Sequence, residues 1–290
     1  MDEFEHYSNS AQRPFQIMGV VNVTPDSFFD GGAHESPGQA SRHAYSLINQ
    51  GADIVDIGGE STRPGASPVS ADEEATRIVP VIEKIHRDHP ETTISVDTMK
   101  LGVAHAAIYA GASYVNDVTA FISEPLLAGL VADAGVQCCL MHMQGEPRTM
   151  QNNPRYDNVV DDVRAFLEDR MAFAIGEGVP EGKIQLDPGI GFGKTLEHNL
   201  ELLMRLDEIV AIGRPVVIGV SRKSFISRVA QDAGVSGVEV QDRLPGTIAA
   251  NTLALERGAR VFRVHDVAET AQSLAVAAAA LDVAKRPIAG

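Results

Sequence analysis

The sequence has no tryptophan, only two cysteines and fewer basic than acidic residues. Aromatic residues make up 5% and hydrophobic residues 44% of the 290 positions, which indicates a folded core of mainly aliphatic side chains. The two cysteines, Cys138 and Cys139, are neighbours in an apolar segment, so their side chains are expected on opposite faces of a sheet. We interpret them as buried structural thiols rather than redox or catalytic groups.

The shortage of positive charge limits the classes of partner. With 24 basic and 39 acidic residues the formal net charge is −15, which argues against general binding of nucleic acid or of an anionic membrane. Residues 1–13 lack the basic and apolar regions of a secretory signal, and no apolar run reaches membrane-spanning length. We therefore expect a cytoplasmic protein in which any anionic substrate meets a local basic cluster.

Motifs for zinc and for nucleotide hydrolysis are also missing. The nine histidines form no His-x-x-x-His pair and no Cys/His cluster of zinc spacing. "DPGIGFGKT" ends like a phosphate-binding loop, but it has three instead of four residues between Gly189 and Gly193, with Pro188 in place of the missing glycine. A magnesium ion, which one or two protein groups and substrate phosphates can hold, remains compatible with the region of Asn22.

Short β-rich runs alternate with helical patterns along the whole chain. Four runs follow a glycine of the kind that caps a helix before a strand, at Gly51, Gly111, Gly135 and Gly258. Between two of the runs, Ala75, Ile78, Val79, Ile82 and Ile85 fall at helical spacing, and Pro80 predicts either a kink or a late start of that helix. The eight predicted strands lie in "FQIMGVVNV", "GADIVDIGGE", "ETTISVDT", "GASYVNDV", "GVQCCLMHM", "GKIQLDPG", "RPVVIGVSRK" and "GARVFRVHD".

Eight apolar strands separated by helices predict an α/β fold, a single-domain (β/α)8 TIM barrel. A doubly wound sheet is the weaker alternative, because "NVTPDSFFDGG" follows the first strand in place of a dinucleotide-binding glycine fingerprint. The expected organisation is a flexible tail over residues 1–14 and one barrel domain over residues 15–286.

Each predicted strand ends in polar residues that are costly in a core. A helix cap or turn accounts for any one of them, but not readily for all eight ends. In a barrel these ends converge on one mouth, where the active site of this fold is built. Carboxylates and amides there can bind the guanidine-like edge of a guanine or a pterin, and Arg63, Lys223, Arg263 and His265 provide positive charge for an anion. The polar ends are Asn22, Asp56, Asp97, Asn116, His142, Asp187, Ser221–Lys223, and Arg263 with His265.

Eight motifs resemble those of one enzyme family, in the same order, over about residues 15–270. They are "MGVVNVTPDSFFDGG", "DIGGESTRPGA", "SVDT", "NDV", "LMHMQGEP", "DPGIGFGK", "GVSRKSFI" and "RVHDV". The chain thereby resembles the dihydropteroate synthases of folate biosynthesis, a family of pterin-binding barrels.

The resemblance implies a magnesium-dependent transferase that joins (7,8-dihydropterin-6-yl)methyl diphosphate to 4-aminobenzoate, giving 7,8-dihydropteroate and diphosphate. It also implies a homodimer, with sulfonamides as ligands that compete with 4-aminobenzoate. Family members are thought to ionise the bond between methylene and oxygen first, so that no strong general base is needed.

The resemblance also assigns site residues, each at a matching motif position. Asp30, Arg63 and Lys223 are the implied catalytic residues, and Asn22 is the implied magnesium contact. The implied pterin-binding residues are Asp56, Asp97, Asn116, Met141, Asp187, Phe192, Gly219, Lys223 and Arg263. The implied diphosphate-binding residues are Asn22, Thr62, Arg63, Arg263 and His265. The implied 4-aminobenzoate-binding residues are Phe28, Thr62, Pro64, Phe192, Ser221 and Ser224.

Two rival functions share most of these motifs. A non-catalytic paralogue would be expected to lose Asp30, Arg63 or Lys223, and all three are present. A barrel that transfers a methyl group from a folate would not need Thr62 and Arg63 beside His265. The apolar C-terminal stretch "AQSLAVAAAALDVA" is compatible equally with core packing and with a dimer interface.

Overall fold

A computed structural model describes residues 13–24, 37–61, 67–146 and 149–285. The predicted site residues Phe28, Asp30, Thr62, Arg63 and Pro64 lie outside the described residues. The strands are β1 (Gln16–Asn22), β2 (Ile54–Gly58), β3 (Thr93–Asp97), β4 (Tyr114–Asp117), β5 (Gln137–Met141), β6 (Ile184–Asp187), β7 (Val217–Ile218) and β8 (Val261–Val264). The helices are α1 (Pro37–Asn49), α2 (Ala71–Asp88), α3 (Leu101–Tyr109), α4 (Leu126–Ala134), α5 (Val159–Gly176), α6 (Leu196–Met204), α7 (Leu206–Val210), α8 (Ser224–Asp232), α9 (Leu244–Glu256) and α10 (Val267–Lys285).

The eight strands form one parallel sheet in the order β6-β5-β4-β3-β2-β1-β8-β7. The two end strands meet where Leu186 bridges Val216 and the Leu186 N–H donates to the Pro215 carbonyl at 3.0 Å. A sheet whose ends meet in this way is a nearly closed barrel. The prediction of a (β/α)8 barrel is confirmed, and the doubly wound alternative is wrong.

Glycine turns connect the helices to the strands as the sequence predicts. Gly51, Gly111, Gly135 and Gly258 all have positive φ angles, between 64° and 117°. An L residue with a side chain rarely adopts this conformation, whereas glycine does so without steric cost. At Gly111 a Cβ atom would also lie 2.4 Å from the ring of His86, so the α3–β4 turn has no room for a residue larger than glycine at this position.

Helix α2 begins well before its proline. Ser70 caps the helix by accepting a hydrogen bond from the Glu73 N–H, and Pro80 lies on the exposed side. A late start is therefore excluded. The buried face contains Glu74, Val81 and all three predicted isoleucines, whereas Ala75 and Val79 are only half-buried. The burial of Glu74 could not be predicted from apolar spacing, because it depends on an ion pair with Lys100.

The strands bury side chains on both faces. Cys138 belongs to the outer core between strands and helices, and Cys139 belongs to the barrel interior. Both thiols are free and buried, and burial raises the pKa of Cys138 to about 12 and that of Cys139 well above its usual value. The prediction of two structural thiols on opposite faces is confirmed. The interior cluster consists of Met18, Ile54, Tyr114, Cys139, Val217 and Val261.

Helix α10 corrects one expectation. Its segment Val267–Ala284 is 18 residues long and apolar enough to cross a membrane by length and composition. The prediction that no segment reaches this length is therefore wrong. The helix packs against α9 and β1 through a face that includes Leu274 and Ala278, as the last helix of the barrel, while Val276 and Val283 are exposed.

Candidate active site

The carboxyl ends of the strands bring most of the described candidate residues to one mouth. Asn22, Asp97 and Asp187 are the last residues of β1, β3 and β6. Asp56, Asn116 and Arg263 do not end their strands, because β2 continues for two residues and β4 and β8 each continue for one residue beyond them. The predicted position of these three residues at a strand end is wrong by one or two residues, and their side chains form a polar layer below the rim.

Asp56 is the centre of this layer and is fully buried. Its Oδ1 atom accepts a hydrogen bond from the Ser95 hydroxyl at 2.6 Å, and its Oδ2 atom accepts from the Asn116 amide at 3.1 Å. The Arg263 Nε–H donates to the same Oδ2 atom at 2.6 Å. A buried carboxylate with this many donors has its hydrogen-bonding capacity satisfied and fixes the orientation of its partners.

Arg263 joins Asp56 to Asp97, which accepts from the guanidinium at 2.7 Å. Burial raises the pKa of Asp97 to about 7, although Arg263 opposes the rise. Against the lowering effect of burial, Asp56 and Asp97 raise the pKa of Arg263. The cation is therefore permanent, and it lies beside two carboxylates near the mouth of the barrel.

Asp187 and Lys223 form a second group. The Gly189 N–H donates to Asp187 Oδ1 at 2.7 Å, and burial raises the pKa of Asp187. Burial lowers the pKa of Lys223 to about 8, although the charge of Asp187 opposes this. The Lys223 ammonium donates to the Ile190 carbonyl and lies 4.6 Å from the centre of the Phe192 ring. A carboxylate, an ammonium group and an aromatic ring can together bind a flat heterocycle with polar edges.

The loop that carries Phe192 is fixed by a residue whose role sequence reasoning missed. Lys194 is 3% exposed and contacts His142 Nδ1 at 2.8 Å and the Phe192 carbonyl at 3.0 Å. Burial lowers the pKa of Lys194 well below its usual value and that of His142 to about 3. Lys194 is directed into the protein, which agrees with the rejection of a phosphate-binding loop. Its only sequence signal is a lysine in a run of small residues.

A third group lies after β7 and β8. The Ser221 hydroxyl is 2.9 Å from His265 Nδ1 and accepts from the His265 N–H at 3.2 Å. Arg222 has a φ angle of +57°, and its Nε–H donates to Asp266 at 3.0 Å. With this unusual backbone angle, Arg222 pairs with Asp266 while the next residue, Lys223, donates to the Ile190 carbonyl. No sequence pattern indicated the pair formed by Arg222 and Asp266. Ser224 is exposed at the start of α8.

The remaining described candidates lie around these groups. Asn22 pairs in register with Gly58 at the end of β1, and Met141 pairs with Asp187. A Cβ atom on Gly219 would lie 3.8 Å from the Lys223 ammonium and 3.9 Å from Arg263 Cβ, so a side chain there would occupy the space between these two residues.

The donor set limits how a metal could bind. The described part of the chain contains no group of three or more His, Cys, Asp or Glu that could hold a metal ion. The Asn22 amide at the mouth is a single oxygen donor, and Mg²⁺ is commonly held by one or two protein groups together with water and substrate phosphates. Among the residues that the structure describes, the donors therefore fit a magnesium ion that arrives with a diphosphate, and they do not fit a cage made of protein ligands alone.

Comparisons with known proteins agree with this geometry. Residues 18–265 match the family described as pterin binding enzyme. The dihydropteroate synthase of Escherichia coli strain K12 is 44% identical over 265 residues, 91% of each chain. The Yersinia pestis dihydropteroate synthase, solved with a sulfonamide drug complex, has a TM-score of 0.86 at 41% identity and covers 92% of this chain and 94% of its own. The Xanthomonas albilineans enzyme with 4-aminobenzoic acid has a TM-score of 0.84 at 42% identity, with 94% of both chains covered. A buried guanidinium between two carboxylates, an Asp–Lys–Phe group and these matches lead to one conclusion: the chain belongs to the pterin-binding enzymes and, among them, to the dihydropteroate synthase family.

Proposed function

We propose that Asp187, Asn116 and Lys223 bind the pterin ring of (7,8-dihydropterin-6-yl)methyl diphosphate, which the chain then joins to 4-aminobenzoate. The observation that carries this proposal is the polar layer of the barrel, in which buried carboxylates and an amide are already oriented by fixed partners. Asp187 accepts from the 2-amino edge of the ring, because a carboxylate can accept two parallel N–H bonds. Met141 and Phe192 provide apolar contact beside it, and Gly219 leaves room for the ring.

The charge distribution suits departure of diphosphate. Arg263 is the penultimate residue of β8, His265 directly follows that strand, and Asn22 lies at the end of the adjacent β1. The bond between the pterin methylene carbon and oxygen breaks, and its electron pair leaves with the diphosphate. Cationic and polar groups stabilise the charge that develops on this leaving group. A bound Mg²⁺ would supply further positive charge to the diphosphate, with Asn22 as its protein contact.

The amine nitrogen of 4-aminobenzoate then forms the new bond to the methylene carbon and releases one proton. An arylamine is weakly basic and is largely neutral at pH 7, so the reaction needs no strong general base. The carboxylate of 4-aminobenzoate is assigned to Ser221 and Ser224 near the start of α8, where helix N–H groups favour an anion. Phe28, Asp30, Thr62, Arg63 and Pro64 complete the proposed site, and they lie outside the described residues.

Three further proposals concern inhibitors, the oligomeric state and the cellular location. Sulfonamides are expected to compete with 4-aminobenzoate, since the Yersinia pestis relative was solved with such a drug. A homodimer is supported by exposed apolar residues on neighbouring helices, which are Leu253 on α9 and Val276 and Val283 on α10. A cytoplasmic location without nucleic-acid or membrane partners stays a prediction from the sequence.

Calorimetric titration tests the pterin assignment separately from turnover. The wild type should bind the pterin diphosphate with Mg²⁺, and Asp187→Asn should weaken this affinity by about a hundredfold, since loss of charge-assisted hydrogen bonds is worth roughly 2–3 kcal/mol. Asp207→Asn, at a surface position of the first turn of α7, is the matched control. Equal affinities in Asp187→Asn and the control would contradict the assignment.

A further inference from the structure

A buried ion cluster outside the polar layer joins β2, α2 and the start of α3. Lys100 donates from its ammonium to Glu60 Oε2 at 2.9 Å, to the Val69 carbonyl at 2.7 Å and to Glu74 Oε2 at 2.6 Å. The Val69 N–H in turn donates to Glu60 Oε1 at 2.9 Å. We name Lys100, Glu60, Val69 and Glu74 the Lys100 clamp. A lysine has three donors, and all three are used here.

The clamp joins the chain just after β2 to the chain just before α2. Glu60 lies two residues after β2, and Val69 lies two residues before α2, so the hydrogen bonds connect the two ends of the intervening segment. Arg77 supports the same point by donating to the Gly59 carbonyl at 2.8 Å. The intervening segment carries the predicted ligand contacts Thr62, Arg63 and Pro64.

The burial of the charged side chains in the clamp favours a role in positioning the chain over a role in stabilising the fold. The side chains of Lys100 and Glu60 are 16% and 14% exposed, and that of Glu74 is 1% exposed. Well-packed apolar residues often replace a buried ion pair without loss of stability, so stability alone gives little reason for a charged cluster. What the charges provide is a fixed geometry, because each hydrogen bond has a required distance and direction.

The clamp lies close in sequence to the end of β3. Lys100 follows Asp97 by three residues, and Gly58, two residues before Glu60, pairs in register with Asp97. A Cβ atom on Gly59 would lie 2.9 Å from Glu74 Cγ, which shows how closely the β2 exit packs on α2.

We propose that Lys100 is a positioning residue that holds Glu60 and Val69 at a fixed distance and thereby sets the affinity for 4-aminobenzoate and for the diphosphate group, without contacting either. This inference rests on the proposed function, which assigns those ligands to Thr62, Arg63 and Pro64. None of the residues assigned to the pterin ring belongs to the Lys100 clamp, so the affinity for the ring should not depend on the clamp.

The test compares Lys100→Met with Lys84→Met, a control on α2 whose lysine is more exposed and pairs with Asp88 at 3.2 Å. In Lys100→Met the KM for 4-aminobenzoate and the dissociation constant of inorganic diphosphate with Mg²⁺ should rise by about tenfold, equivalent to about 1.4 kcal/mol. The affinity for 6-hydroxymethylpterin, which has no diphosphate, should stay within about twofold of wild type. The control should match the wild type in all three quantities.

Further variants keep the test decisive if Lys100→Met does not fold. Glu60→Gln keeps an acceptor for the Val69 N–H and removes one charge, so it should shift the same two constants in the same direction. Lys100→Arg should recover part of the loss, because a guanidinium can reach the same acceptors. An unchanged KM for 4-aminobenzoate, or an equal loss of 6-hydroxymethylpterin affinity, would overturn the proposal.

The outcomes separate this inference from the proposed function. A wild type that binds diphosphate but forms no dihydropteroate would remove the proposed reaction, and the clamp would then be judged on diphosphate affinity in Lys100→Met. A wild type that binds neither ligand would overturn both.

Discussion

Asp56 shows how a single buried residue organises the pocket. Its carboxylate accepts from Ser95, Asn116 and Arg263, and no part of it reaches solvent. Removing one partner of such a cluster leaves an uncompensated buried charge, which is more costly than the cluster's net contribution to stability. The polar layer is therefore expected to fail as a unit when Asp56 is changed.

Asp56→Asn should lower the free energy of unfolding by about 3 kcal/mol, because Arg263 loses one of its two carboxylate partners inside the barrel. Urea denaturation followed by circular dichroism measures this change, with Asp232→Asn on the surface of α8 as the control. A loss of no more than about 0.5 kcal/mol, the usual range for surface substitutions, would contradict the role given to Asp56.

Lys223 gives a pH dependence whose sign is fixed by its pKa of about 8. The ammonium is charged below that pH and neutral above it, so its contribution to binding the pterin diphosphate should disappear as the pH rises through about 8. The value of kcat/KM for the pterin diphosphate should fall on this alkaline side.

Lys223→Arg is the diagnostic comparison for this prediction, since a guanidinium stays protonated throughout the range. Whatever activity the variant retains should lack the alkaline decrease assigned to Lys223. Titration of the substrate itself affects both proteins equally. If the variant and the wild type lose activity at the same pH, Lys223 is not the titrating group.

At the scale of elements, the β6–α6 loop is packed directly on the exit of β5. Gly189 has a φ angle of +67°, and a Cβ atom there would lie 1.8 Å from the His142 carbonyl oxygen. Gly189→Ala should therefore cost about 1–3 kcal/mol in backbone strain alone, and displacing the loop adds to this.

This prediction has a matched control in Gly182→Ala, because nothing lies within 4 Å of a Cβ atom at Gly182. The melting temperature and kcat should both be lower in Gly189→Ala than in the wild type. The loop carries Phe192 and the Ile190 carbonyl group that accepts a hydrogen bond from Lys223. Two variants with equal melting temperatures would contradict the packing described for this loop.

Elements also show what could be predicted from the sequence. The four glycine turns and the alternation of strands and helices follow from local chemistry, so both were predictable. The extent of β2 beyond Asp56 was not, because strand ends depend on pairing with β1 and β3. Contacts such as Lys194 with His142, 52 residues apart, arise only when separate strands meet.

At the scale of the whole molecule, the barrel explains why residues from all parts of the chain reach one site. Asp56 and Arg263 are 207 residues apart in sequence and are joined by a hydrogen bond. The sequence predicted the convergence through the polar strand ends, although not which residues pair. The pairs depend on barrel register and side-chain geometry, which no local pattern contains.

The exposed apolar surface of α9 and α10 predicts the state of assembly. Val276 is 69% exposed, and Val276→Glu should convert the proposed dimer to a monomer, because a buried charge without a partner opposes association. Analytical ultracentrifugation measures the mass. Tyr109→Glu on α3, where the tyrosine is 91% exposed, is the control and should remain dimeric. A wild-type monomer would contradict the proposed homodimer.

This barrel should form dihydropteroate at the site built by Asp187 and Lys223. The most direct measurement is coupling of 4-aminobenzoate to the pterin diphosphate in the presence of Mg²⁺, for the wild type, Lys223→Ala and Asp187→Asn. The wild type should form product, and kcat/KM should fall by about a hundredfold or more in each variant, corresponding to about 2.7 kcal/mol or more of transition-state stabilisation. A folded wild type that binds the pterin diphosphate and forms no product would instead be a non-catalytic pterin-binding protein.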